Sequence, residues 1–250
     1  PLVGWVSDKQ GLLVKCHDTY YPEVPMQYCQ FHFLSHLWNH LECYDSNIFM
    51  PLKTTISNLY IRTSSQKVYY EGKGKIEVKE AFKDMNDEFQ DMISVRNKKF
   101  KTLRGVWLYE TLSNYLEGLI ETVNSMNPNL RGTIQMRGCY DAIHEVHSRL
   151  YPIYQNTVQL LKWFESIRSS LSNAKISVDT QETICISTLD EIFNHLVKED
   201  PYFNVGDCRS FLPNKNSPYN EVLGEYLRLW KSYSHGLFQY AHFPKPVRTN

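Results

Sequence analysis

Asp8, Cys29 and His32 are the residues whose types and places could do chemistry in this chain. Asp8 follows a short apolar run, Pro1-Leu2-Val3-Gly4-Trp5-Val6, and lies in the polar turn Ser7-Asp8-Lys9-Gln10-Gly11. An apolar run that stops at a polar turn predicts a buried strand. The carboxyl end of a strand is where α/β sheets place their ligands. A carboxylate held there is a hard oxygen donor suited to Mg2+ or Mn2+. The same Ser-Asp-x-x-Gly equally reads as a helix start, with Asp8 as N-cap and Gly11 easing the turn.

A second constellation lies close by. His32, His36 and His40 fall four apart, on one face of a helix, with Cys29 and Cys43 near them. Imidazole and thiolate are zinc ligands, so a zinc-dependent helical regulator is an alternative. Three histidines at that spacing are also what a polar, aromatic helix face produces. Lys98, Lys99, Lys101 and Arg104 form the densest basic cluster; they are candidate contacts to a DNA backbone or simply a solvated helix end. Trp38, Trp107, Trp163 and Trp230 each sit in an apolar helical stripe, which favours core packing over base stacking.

The elements that must position these residues are unevenly distributed. Leu12, Leu13, Cys16 and Tyr20 recur at helical spacing until Pro22 and Pro25, and Met26 to His32 predicts a second strand. Strand, helix, strand in that order implies a parallel pair joined by a right-handed crossover. From Phe33 onward the period is helical. One helix carries Leu34, Leu37, Trp38 and Leu41, and another follows Pro51 with Leu52, Ile56, Leu59 and Tyr60. Glu71 to Lys75 predicts a turn, and Ala81, Phe82, Met85, Phe89, Met92 and Ile93 mark the next helix. Val106 to Met126 is the clearest helix of all, and Asn127-Pro128 stops it. A long helix from about Tyr140 is expected to break or kink at Pro152. Asp179 with Glu182 predicts a capping box, and Ser217-Pro218 opens a last helix ending near His235-Gly236.

Composition narrows the class. At 250 residues, 42% hydrophobic and 22% charged, the chain can build a real core and is not of disordered composition. A formal net charge of zero gives no compositional reason for a nucleic-acid partner. The six scattered cysteines lack any Cys-x-x-Cys pair and predict free thiols in a reducing compartment. No apolar run approaches membrane-spanning length and no signal-peptide pattern opens the chain, so a cytoplasmic or nuclear location and no membrane partner are expected. Pro1 in place of methionine, and an end at Asn250 that closes no element, read as cut ends. Two strands alone make no stable sheet, so the small α/β unit is expected to complete its sheet with something else.

The strand ending in Ser7-Asp8-Lys9-Gln10, the helix, Tyr21-Pro22 and Gln27-Tyr28-Cys29-Gln30-Phe31-His32 with Leu34 together resemble the DDE-type transposases of RNase H-like fold. In particular they resemble the Mutator-like and related bacterial insertion-sequence group with its Cys-x-x-His signature, here Cys29 and His32. Tyr240 to Asn250, ending in Arg248-Thr249-Asn250, resembles the family's segment leading into the glutamate helix. The likeness is dense over residues 1–41 and 240–250; between them only helical character and length agree.

The resemblance implies a predominantly helical α+β chain: a partial RNase H-like core over residues 1–32, a helical insertion over 33–239 and a return segment over 240–250. It implies Asp8 as the second of three metal-binding acids, the first lying before Pro1 and the final glutamate after Asn250. His32 would stand at the end of the neighbouring strand, orienting phosphate or water, with Arg248 a further backbone contact. The implied activity is DNA cleavage and strand transfer with Mg2+ or Mn2+, on DNA ends and target, in a homo-oligomer. A lone Asp8 predicts an inactive chain. The rival expectation is a helical DNA- or protein-binding module derived from a transposase. The family often carries glycine after the aspartate, where this chain has Lys9: a like charge beside a cation site, or a side chain turned to solvent.

Overall fold

The computed structural model describes residues 2–65, 75–96, 98–173, 175–199 and 217–242. Among them, strand β1 (Trp5–Ser7), helix α1 (Gly11–Tyr20) and strand β2 (Met26–Tyr28) form the strand-helix-strand unit. Helices α2 (Gln30–Ser65), α3 (Lys75–Ser94), α4 (Arg104–Ser125), α5 (Arg131–Arg149), α6 (Tyr151–Ser172), α7 (Val178–Glu199) and α8 (Pro218–Leu237) follow, and a 3-10 turn spans Gln239–His242. The protein is therefore predominantly helical, with one two-stranded parallel sheet among the described residues. None of the described helices is long and apolar enough to cross a membrane.

β1 and β2 pair in parallel with Trp5 opposite Met26 and Ser7 opposite Tyr28. The expected second strand ends earlier than its aromatic run suggested. Gln30, Phe31 and His32 belong to the first turn of α2, because the Cys29 amide closes the ladder on Ser7 O at 2.7 Å and the Cys29 carbonyl already accepts from the Phe33 amide. The Trp5 amide and the Ser7 carbonyl face β2, so period-two alternation turns the Val6 amide and carbonyl to the opposite edge.

The chain divides into two compact units, residues 1–41 with 159–250, and residues 42–158, the divisions falling within α2 and α6. In the first, Phe33, Leu37 and Trp38 of α2, Phe164 and Ile167 of α6, Ile192 of α7 and Leu223 and Tyr226 of α8 are buried. Trp38 meets Phe164 at 5.1 Å between centroids. In the second, Ile48, Leu52 and Ile56 of α2 join Met85 and Phe89 of α3, Leu108 and Leu112 of α4, and Ile143 of α5 in one core cluster. Trp38 and Trp163 are buried, in line with their apolar stripes, while Trp107 and Trp230 are half-buried.

Several helix boundaries depart from the local signals. Pro51 was expected to separate two helices, yet α2 runs through it. A proline removes one amide donor, while the buried stripe of Ile48, Phe49, Leu52 and Ile56 continues on both sides of it and holds the axis. The helix expected from Tyr140 begins at Arg131, and the break falls at Leu150, leaving Pro152 in the first turn of α6 where no amide is needed. At α7 the capping oxygen is Ser177, whose Oγ accepts from the Thr180 amide at 3.2 Å; Asp179 is within the helix. Ser217 does cap α8, accepting from the Asn220 amide at 3.4 Å with proline next in line. The expected turn at Glu71 to Lys75 falls, apart from Lys75, outside the described residues.

Candidate functional site

At the carboxyl ends of the parallel strands, Ser7, Asp8, Lys9 and Tyr28 come together with side chains of α8. Ser7 is buried and its Oγ accepts from the Lys9 amide at 3.2 Å. Asp8 follows directly after β1, half-buried, with Oδ1 accepting from the Gln10 amide at 3.3 Å and Oδ2 from Gln10 Nε2 at 2.9 Å. This is an Asx turn leading into α1; the N-cap position belongs to Gln10, which makes no side-chain cap. Both Asp8 oxygens keep further lone pairs, so the turn leaves the carboxylate able to accept from or ligate another group.

Lys9 has φ of 67°, the left-handed conformation that favours glycine. Its ammonium does not turn to solvent. It donates to the carbonyl and the hydroxyl of Ser232 on α8 and lies over the Tyr233 ring at 4.6 Å and the Tyr28 ring at 5.2 Å. Burial lowers the Lys9 pKa, and the Arg228 guanidinium lowers it further. Tyr28, the last residue of β2, shares a hydrogen bond of 3.0 Å with His235 Nε2 and meets Tyr233 edge-on at 5.8 Å. Burial raises the Tyr233 hydroxyl, and the nearby Asp8 charge raises it further. Burial lowers the His235 pKa, helped by the Lys9 charge.

Gln27 and Gly236 make this meeting of β2 and α8 possible. The Gln27 amide is buried, donating to Tyr28 O and Leu237 O, both at 2.7 Å, while its Oε1 accepts from the Tyr240 amide at 2.9 Å. A Cβ on Gly236 would stand 2.4 Å from Tyr28 Cδ2, so only glycine lets α8 come this close to the ring. No local signal in the sequence marked Lys9, Tyr28, Tyr233 or His235 as neighbours, because the pairs lie more than two hundred positions apart. The Gly236 that ends the helical pattern was the nearest hint.

The other candidate residues are placed as follows. Cys29 is half-buried and His32 exposed in the first turn of α2, so His32 does not stand at a strand end as expected. His36 is exposed and His40 is half-buried, 3.8 Å from Glu225, with burial lowering its pKa. Cys43 is exposed. Among the described residues no three His, Cys, Asp or Glu side chains form a group that could hold a metal ion. Asp8 alone thus does not fit a two-ion centre, which needs several carboxylates around ions about 4 Å apart.

In the second unit, Lys98, Lys99 and Lys101 are exposed in a tight turn closed by the Lys101 amide on Lys98 O at 2.9 Å. Arg104 differs from them. It begins α4 half-buried, with its guanidinium 4.3 Å over the Phe49 ring and its charge felt by Asp45. Arg248 lies outside the described residues. Comparison of the chain with protein-family models, with curated proteins and with solved structures finds no match.

Proposed function

We propose that this chain is part of the core of a DDE-type DNA transposase, contributing Asp8 as one acid of a metal-dependent DNA cleavage and strand-transfer centre and inactive by itself. The observation that carries this reading is the closure on β2. The chain leaves the parallel pair after Asp8 and Tyr28, runs through the helices α2 to α8, and returns to the same strand through the Gln27 contacts with Leu237 and Tyr240. A helical insertion in an RNase H-like core has this topology: it opens after a core strand and comes back beside it. Under this reading the remaining acids and the rest of the sheet are supplied by chain outside these 250 residues, Mg2+ or Mn2+ is the cofactor, and DNA is the substrate.

The test is nicking of supercoiled plasmid by the full-length product of the gene that encodes this chain, compared with Asp8→Asn. The reading expects nicking in Mg2+ or Mn2+ that falls at least a hundredfold in the variant while DNA binding persists. Equal nicking by Asp8→Asn, or none by the intact product, overturns it.

A second reading has its own observation. The exposed Lys98, Lys99 and Lys101 turn presents three lysine side chains within four positions, as a DNA-binding module would. It expects DNA affinity that drops steeply with salt in wild type, less steeply when the three lysines are changed to glutamine, and unaltered by Asp8→Asn.

A further inference from the structure

Helices α7 and α8 run antiparallel. His195 near the end of α7 meets Tyr219 at the start of α8 with ring centroids 5.5 Å apart, and Gln181 near the start of α7 accepts from the Tyr240 hydroxyl just past α8. On one side their faces leave a groove of about 430 Å3. Ile186, Leu189 and Phe193 line it from α7, and Leu227 and Trp230 from α8. Ile186 is 43% exposed, a large apolar side chain in water on a helix otherwise packed by its core stripe. Each rim carries one charge, Asp190 on α7 and Lys231 on α8, and neither belongs to an ion pair among the described residues.

We infer that this groove is a self-association surface whose occupant is the same groove of a second copy, giving a two-fold dimer with α7 and α8 of each chain in a four-helix arrangement. The charges select this occupant. A two-fold axis along the groove lays α7 of one copy over α8 of the other, so each Asp190 faces the partner's Lys231 and one interface holds two such pairs. The apolar floor then meets an identical apolar floor, and Ile186 leaves water. Each helix is about 30 Å long, so a face two helices wide offers roughly 600 Å2 per copy, somewhat under the usual 800 Å2 per partner. A face of that size belongs with weak, transient association, so an equilibrium on the order of micromolar is the one to look for. The inference is independent of the role of Asp8.

Sedimentation of the 250-residue chain from about 1 to 200 µM tests it, since that range brackets a micromolar equilibrium. The expected result is a species of twice the 29.5 kDa protomer mass at the upper end. Asp190→Lys and Lys231→Asp should each weaken association at least tenfold, and the double exchange should restore it to within threefold. Ile186→Glu, checked for native helicity by circular dichroism, should also give monomers. A wild type that stays monomeric throughout overturns the proposal. So does a double variant no better than the singles, or an Ile186→Glu protein that still dimerises.

Discussion

Gln27 Nε2 donates to the carbonyl of Leu237 at 2.7 Å, although the two residues stand 210 positions apart. The same side chain accepts from the Tyr240 amide, so one buried carboxamide joins β2 to the end of α8 and to the turn beyond it. A Gln27→Leu change nearly keeps the volume and removes the side chain's three hydrogen bonds, to Tyr28 O, Leu237 O and the Tyr240 amide. The Leu237 carbonyl keeps the Gln30 Nε2 donor at 3.1 Å, so the group deprived of its partner there is the part-buried Tyr240 amide, at a cost of about 1–3 kcal/mol. The expected loss is therefore about 1–3 kcal/mol in urea unfolding, with faster hydrogen exchange at the Tyr240 amide. An exchange rate at Tyr240 equal to wild type would show that the tie does not hold.

Lys9 separates two effects that a single substitution would merge. Its left-handed backbone costs a residue with a Cβ about 1–2 kcal/mol, and its ammonium is anchored on Ser232 between two tyrosine rings. Lys9→Gly and Lys9→Ala both remove the anchor, but only glycine relieves the backbone. Glycine should therefore be the more stable of the two by about 1 kcal/mol, against the usual order in which alanine gains by restricting the unfolded chain. Denaturant titration of the pair reads this directly. In both variants the His235 imidazole, now freed of the Lys9 charge, should titrate at a higher pH by NMR than in wild type.

Asp45 does for α4 what its own N-cap residue cannot. Leu103 has no side-chain acceptor, and the Asp45 carboxylate reaches from α2 to the amides of Gly105 at 2.7 Å and Val106 at 2.9 Å. A Cβ at Gly105 would lie 2.4 Å from the Asp45 carbonyl oxygen, which is backbone and cannot swing aside. Gly105→Ala should thus destabilise by about 1–3 kcal/mol through overpacking, where the same change in an open helix gains about 1 kcal/mol. Thermal unfolding decides the sign.

The acidity of Asp45 gives a separate handle. Burial pushes its pKa up from 3.8 to about 6, against the pull of the two amides and of Arg104. The folded state therefore holds a proton that the unfolded state releases between those values. The contribution of Asp45 to stability should weaken as pH rises from 3.8 through about 6, the reverse of a typical carboxylate. Relative to Asp45→Asn, wild type should lose ground over that interval and stay level above it. A difference that is flat with pH contradicts the shift.

His17 runs the other way. Its Nε2 is 2.6 Å from Val24 O and its Nδ1 is 3.1 Å from Asp18 Oδ1, so both nitrogens face acceptors and only the imidazolium can donate to both. Burial works to lower its pKa, but the Asp18 and Val24 hydrogen bonds, with the Asp18 and Glu23 charges, outweigh it and the net shift is upward from 6.5. The stabilisation is fully present below 6.5 and is lost as pH rises through the higher folded value. The stability gap between wild type and His17→Gln should be widest below pH 6.5 and shrink as pH rises through the higher folded value. An NMR midpoint for His17 below 6.5 would count against this.

What local chemistry dictates was legible from the residues alone. The apolar period of Val106 to Met126, the Ser217-Pro218 cap and the helix between Leu12 and Tyr20 appear as α4, α8 and α1, because each depends on contacts within a few positions. The parallel pairing also followed from element order. Where the reading failed, a distant surface overruled a local signal: α2 passes through Pro51 along its buried stripe, and the aromatic run Cys29 to His32 turns helical where the strand ladder closes. Around Asp8 the Asx turn is local, but the contacts that join the strands to α8 are of the second kind. Lys9 on Ser232, Tyr28 on His235 and Gln27 on Leu237 are each joined across more than two hundred positions. No periodicity or spacing carries such a contact, because it exists only once the helices between have packed and brought the end of α8 back to the strand.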